Sequence, residues 1–119
     1  MTLTKGQINK LAVQELRRRR VDAWVQGNAR TVRGHTFKGR PGVSDTIGVQ
    51  LDTGVFVACE VKTLNDRLSD AQRAFLKMVK EAGGIALIAT EDRRTGNMVI
   101  MDYYEYINQP GRNRKGDHG

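Results

Sequence analysis

The segment "VSDTIGVQLDTGVFVACEVK", residues 43–62, carries the strongest structural signal in the chain. It holds two apolar runs separated by "DTG", Asp52 to Gly54, which signals a tight turn. The spacing predicts an antiparallel β-hairpin, with one strand over 43–51 and the other over 55–62. Strand side chains alternate between faces. Phe56, Ala58, Glu60 and Lys62 therefore share one face, and Val55, Val57, Cys59 and Val61 the other. In the first strand Val43, Asp45, Ile47, Val49 and Leu51 share a face. Glu60 and Lys62 project the same way, roughly 6.5–7 Å apart along the backbone. The turn brings Asp45, near the start of one strand, to the end of its partner. Two carboxylates and an ammonium thus converge at one edge of a sheet.

A buried charge is costly unless it is paired or holds a metal. One reading of this edge is a salt bridge, with Lys62 neutralising one carboxylate and the other facing water. The other reading is a divalent ion between the carboxylates, which outnumber the nearby cation. Oxygen ligands suit Mg²⁺ or Mn²⁺, which use one or two carboxylates together with substrate phosphate oxygens.

Outward from the hairpin, residues 4–20 carry Ile8, Leu11, Ala12 and Leu16 on one helical stripe. The run Arg17, Arg18, Arg19, Arg20 closes that helix, where its dipole favours cations. Residues 21–26 alternate as a short strand, with Val21, Ala23 and Val25 on one face. Residues 27–42 are rich in Gly and basic side chains and read as a long loop or mobile hairpin. Residues 69–84 form the clearest helix. Ser69 and Gln72 make a capping-box pattern, Ala71, Ala74, Phe75, Met78, Val79 and Ala82 make the expected core stripe, and Gly83 and Gly84 end it. "IALIAT", 85–90, reads as a central strand covered on both faces. "EDRRTGN" is a turn, and "MVIMDYYEYI" is a last strand or a strand passing into a short helix. The tail from 109 onward is read as disordered, leaving 1–108 as one domain.

The 119 residues suffice for one core, and 39% hydrophobic content is ordinary for a globular protein. No apolar run approaches the ~20 residues that span a bilayer, and the polar opening residues do not resemble a secretory signal. One Cys and two His make a Cys/His zinc cluster a poor fit, and the single Cys suits a reducing cytoplasm. The charge of +7 is unevenly placed: residues 1–44 carry ten Lys or Arg against Glu15 and Asp22. A basic front half points to a polyanion, with nucleic acid the first candidate.

"GVSD", fourteen further residues and then "EVK" resemble the PD-(D/E)xK nuclease superfamily. "RLSDAQRAFLKMVKEAGGIALIA" is similar to its VRR-NUC branch, in which an LSxxQ helix and a Gly-ended turn lead into the next strand. The resemblance implies an α/β restriction-endonuclease-like core, a mixed sheet flanked by helices in the order α-β-β-β-α-β. It implies metal binding by Asp45, Glu60 and the Val61 carbonyl. Lys62 is implied to serve the attacking water or the phosphate charge, and Gln72 to lie beside the site. Two positions depart from the family pattern: Ser44 stands where Pro is usual, and Lys5 falls where many relatives carry a first-helix Glu. Glu15 is the only carboxylate this helix offers in its place. The implied activity is Mg²⁺- or Mn²⁺-dependent cleavage of DNA, structure-selective on branched or junction substrates, by a cytoplasmic homodimer in a bacterial or phage-infected cell. Arg17, Arg18, Arg19, Arg20, Arg30, Arg33, Lys38 and Arg40 are the expected phosphate contacts. Trp24 and Phe37 are candidate base-stacking residues, weighed against a core Trp and a loop Phe. The rival expectations are a binding module of the same fold that does not cut, and a basic RNA-associated structural protein.

Overall fold

The computed structural model describes residues 2–26, 29–32, 34–38 and 42–109, and for 29–32 and 35–38 the backbone alone. In chain order the elements are α1 (Lys5–Arg18), β1 (Val21–Val25), β2 (Ala29–Val32), β3 (His35–Lys38), β4 (Thr46–Gln50), β5 (Phe56–Val61), α2 (Asp70–Glu81), β6 (Ile85–Glu91), β7 (Met98–Asp102) and α3 (Tyr103–Ile107). Five strands form one sheet in the order β1-β4-β5-β6-β7. Among the described strands only β5 and β6 run parallel, and α2 makes the crossover between them. This is a mixed sheet flanked by helices, with the expected α-β-β-β-α-β order in its core. Of the two readings of segment 27–42, a loop or a hairpin, the described residues form the hairpin, a separate antiparallel ladder β2–β3. The segment 98–107 resolves into a strand followed by a short helix.

The two longer helices, α1 and α2, are each set by a reciprocal cap. The Thr4 hydroxyl accepts from the Gln7 N–H, and the Gln7 side chain accepts from the Thr4 N–H. Ser69 and Gln72 do the same at α2. Helix α1 buries Ile8, Ala12, Val13 and Leu16 on one sheet face, against Val21, Ala23, Val57, Cys59, Val61 and Ala89. Leu11, expected in that stripe, is instead exposed. Helices α2 and α3 pack on the other face around Ala58, Leu76, Ile88, Tyr103 and Tyr106. The buried face of α2 is Phe75, Leu76 and Val79. The expected stripe is therefore rotated: Ala71, Ala74, Met78 and Ala82 face outward and Leu76 faces in. The rotation has a cause at the helix start, where Gln72 is turned toward the sheet and Phe75, Leu76 and Val79 follow it at i+3, i+4 and i+7.

The strand expected over 43–51 is shorter, and Asp45 stands just before its first residue. The hairpin register, Thr46 to Cys59 and Ile47 to Ala58, extends by one step to set Asp45 opposite Glu60. Gly42, at φ 82°, lies so close to the Ala71 carbonyl that a Cβ there would collide with it, which seats the approach to Asp45 on the start of α2.

Candidate active site

Where β4 has not yet begun, the last residues of β5 lack a neighbouring main chain, and side chains take its place. The Val61 N–H donates to Asp45 Oδ2 at 3.2 Å. The N–H and C=O of one strand residue point toward the same neighbour, so the Val61 carbonyl lies on Asp45's side. Glu60 is 1% exposed, on the α2 face of the sheet. Its Oε2 accepts from Gln72 Nε2 at 2.9 Å, while its Oε1 is buried with no hydrogen-bond donor among the described residues. Gln72 fills both roles open to it: its amide oxygen closes the helix cap and its amide nitrogen holds Glu60. Lys62 is also buried, and its Nζ donates to the Arg67 carbonyl at 3.0 Å. Asp45, Glu60, Val61, Lys62 and Gln72 are thus brought to one place.

Lys5 arrives there too, its Nζ 3.5 Å from Asp45 Oδ1. The expectation that carboxylates outnumber nearby cations is corrected here, because the Asp45–Glu60 pair has an ammonium on either side. Glu15 does not supply a further carboxylate. It is held by Arg18 and Arg19 at the far end of α1. Burial pushes Glu60 up to a pKa of about 8, and the Asp45 charge and hydrogen bonding to Asp45 push the same way. Lys62 and Lys5 oppose that rise. Asp66, whose carboxylate accepts from the Thr63 N–H, is held below the usual range by its bonds to Thr63. Cys59, buried and flanked by the same acids, is pushed up to about 12, which leaves it an inert thiol.

Sequence reasoning missed Lys5 as a partner of Asp45. The signal was its place at the first position of α1, where no acid occurs in the first turn and the helix field opposes a cation. It also missed Glu91, buried at the end of β6, whose Oε1 accepts from the Leu3 N–H at 2.6 Å and ties the chain start to the sheet. Among the described residues no group of three or more His, Cys, Asp or Glu is arranged to hold a metal. The donor set is two carboxylates and a carbonyl. The unpartnered Oε1 of Glu60 beside a second acid fits a hard divalent cation that takes its remaining ligands from water and phosphate.

The basic residues are distributed differently. Arg17, Arg18, Arg19 and Arg20 lie at the other end of α1 from Lys5, roughly 18 Å or more along the axis at ~1.5 Å per residue. Arg17 donates to the Ala23 carbonyl, Arg18 and Arg19 share Glu15, and Arg20 pairs with Asp52. The side chains of Arg30, Arg33, Phe37, Lys38 and Arg40 lie outside the described residues. So does the tail from 110. Trp24 is not a core residue: it is 44% exposed on edge strand β1.

A mixed sheet whose hairpin end carries a carboxylate pair, a buried lysine and a helix glutamine defines an α/β domain of the restriction-endonuclease-like class. The model of the VRR-NUC domain family matches residues 2–91, and the chain belongs to that family, a branch of the PD-(D/E)xK nucleases. Among solved structures it is similar to Hjc, a Holliday junction resolvase from the archaeal hyperthermophile Archaeoglobus fulgidus. The TM-score is 0.55 at 14% identity, over 87% of this chain and 81% of that one. No curated protein matches the chain. No helix among the described residues is long and apolar enough to cross a membrane.

Proposed function

We propose that this protein is a divalent-metal-dependent DNA endonuclease selective for branched or junction substrates. The carrying observation is the buried Glu60, opposite Asp45 in the hairpin register, with one oxygen held by Gln72 and the other, Oε1, without a donor among the described residues. Asp45, Glu60 and the Val61 carbonyl would hold Mg²⁺ or Mn²⁺. The ion supplies Lewis acidity at a phosphoryl oxygen and a lowered pKa for a water. Lys62, immobilised by the Arg67 carbonyl, orients the attacking water or bears on the charge that develops on the phosphate. Gln72 acts through Glu60 as a positioning residue. Arg17, Arg18, Arg19 and Arg20, with Arg30, Arg33, Lys38 and Arg40, contact backbone phosphates remote from the cut and give affinity without reading sequence.

A resolvase-like fold supports a junction substrate, and a twofold dimer would present two sites to it. The sheet supports the dimer. Helix α2 covers β5 and β6 but leaves Trp24, Val49 and Phe56 exposed on the same face, with Met78 of α2 beside Phe56 and an exposed acid, Asp22, opposite Val49. We assign that apolar face to a second copy of this chain. The single Cys, buried and unpaired, suits a reducing cytoplasm.

A second reading, a module that binds DNA without cutting it, is favoured by the Lys5–Asp45 pair, which places an ammonium on a ligand of the ion. Cleavage assays on four-way junction, fork and flap DNA with Mg²⁺ or Mn²⁺ separate the two. The nuclease reading expects cutting by the wild type, and binding without cutting by Glu60→Ala. A wild type that binds these substrates and cuts none with either ion establishes the module. RNA affinity equal to that for DNA, with every activity indifferent to Asp45→Ala, establishes an RNA-associated protein instead.

A further inference from the structure

Lys5 is placed by more than chance. Thr4 caps α1 immediately before it, and the buried Thr46 hydroxyl donates to Asn9 Oδ1 at 2.6 Å, pinning the first turns of α1 to the strand next to Asp45. The Lys5 side chain is half exposed, whereas the Asp45 side chain is 19% exposed. The ammonium therefore approaches a largely sheltered carboxylate from the solvent side. It does so from the first position of a 14-residue helix whose N-terminal field is itself positive and holds no acid in its first turn. Asp45 already accepts from the Val61 N–H with Oδ2, so Lys5 takes its other oxygen. Both oxygens of this carboxylate are thereby engaged, while Glu60 Oε1 has no donor among the described residues.

We propose that Lys5 gates metal loading: its ammonium is a tethered counter-cation on Asp45, with which a divalent ion must compete. The inference rests on the metal site proposed above and concerns how that site is filled. An ion arriving at Glu60 Oε1 meets Asp45 already neutralised. To use Asp45 it must displace Lys5 toward solvent, where the side chain has room to go. A lysine that served only to orient Asp45 would act in the opposite sense, since its loss would loosen a ligand and weaken the site. The sign of the effect separates the two roles.

The test is calorimetric titration of the full chain with MnCl₂, without DNA, at fixed pH and ionic strength. Lys5→Gln is expected to tighten Mn²⁺ binding about tenfold, the size expected for one unit charge a few ångströms from a divalent ion in partly solvated surroundings. Lys5→Arg, which keeps the charge, is expected to stay within about twofold of wild type. Asp45→Asn is the control and is expected to abolish binding. If Asp45→Asn binds Mn²⁺ as the wild type does, the metal site itself is wrong. With that control behaving as expected, unchanged or weaker binding by Lys5→Gln overturns the gate alone, as does tightening by Lys5→Arg equal to that by Lys5→Gln. Lys5 is exposed at a helix start, and thermal melts of the three variants verify that each binding change belongs to a folded protein.

Discussion

Replacing Glu60 with Gln removes a burial penalty, and its effect on stability depends on pH in a direction the site dictates. In the fold Glu60 holds its proton up to about pH 8, against 4.5 for an ordinary glutamate. Between those values the native state binds a proton that the unfolded chain has released. Unfolding free energy therefore falls as pH rises, by at most ~1.4 kcal/mol per pH decade. The contribution is complete below the unfolded value and is lost as pH climbs through the folded one. Across the whole interval the ceiling is ~5 kcal/mol, of which ~4 kcal/mol falls above pH 5, and the coupling of Glu60 to its neighbours brings the expected loss there to roughly 3–4 kcal/mol. Gln at this position keeps the shape and an oxygen acceptor for Gln72 Nε2 but has no charge to desolvate. Urea melts of metal-free protein from pH 5 to pH 9 are expected to show wild type losing roughly 3–4 kcal/mol more than Glu60→Gln. Their thermal midpoints separate by ~10 °C or more at the alkaline end. Added Mn²⁺ narrows that gap at pH 8 by stabilising the wild type only, through mass action on a site the variant lacks. Parallel stability curves for the two proteins across this range would falsify the burial of Glu60 as a protonated acid.

Two further substitutions probe the shell and the apolar face. Gln72→Ala removes a helix-cap partner and the one side-chain donor on Glu60 among the described residues, so it is expected to cost ~1–2 kcal/mol in urea melts. It also moves Glu60 further above its ordinary value, so the pH midpoint for Mn²⁺ binding should rise; an unmoved midpoint would confine Gln72 to capping. Trp24→Glu puts a charge into the exposed apolar face and is expected to weaken self-association at least ~100-fold by sedimentation, with the monomer's melting behaviour little changed. A wild type that sediments as a monomer at all concentrations removes the dimer.

The hairpin was legible because its two signals are local. A turn triplet and alternating apolar runs fix the register, and the register alone sets Asp45 opposite Glu60. The Ser69–Gln72 cap was legible for the same reason. The rotation of α2 was not, because the choice between Leu76 and Met78 as the inward residue depends on what the helix lies against. The bond from Gln72 to Glu60, made across the crossover, helps settle it. The basic run 17–20 was visible as charge but not as place. Nothing local shows that α1 spends those arginines on Glu15, Asp52 and a carbonyl at the end of the domain away from the acids. Lys5 was read as a gap in a carboxylate pattern, when the packing of α1 makes it a second positive charge beside Asp45.

That difference changes the physics of the site. With two acids and one ammonium, a divalent ion would be drawn in simply to relieve repulsion. With Lys5 and Lys62 both present, and Glu60 keeping its proton up to about pH 8, the resting site carries no excess of negative charge. Metal binding then has to be driven by coordination geometry and by phosphate oxygens completing the shell. A site built this way should hold its ion weakly in isolation and more tightly once a polyanion also engages Lys5.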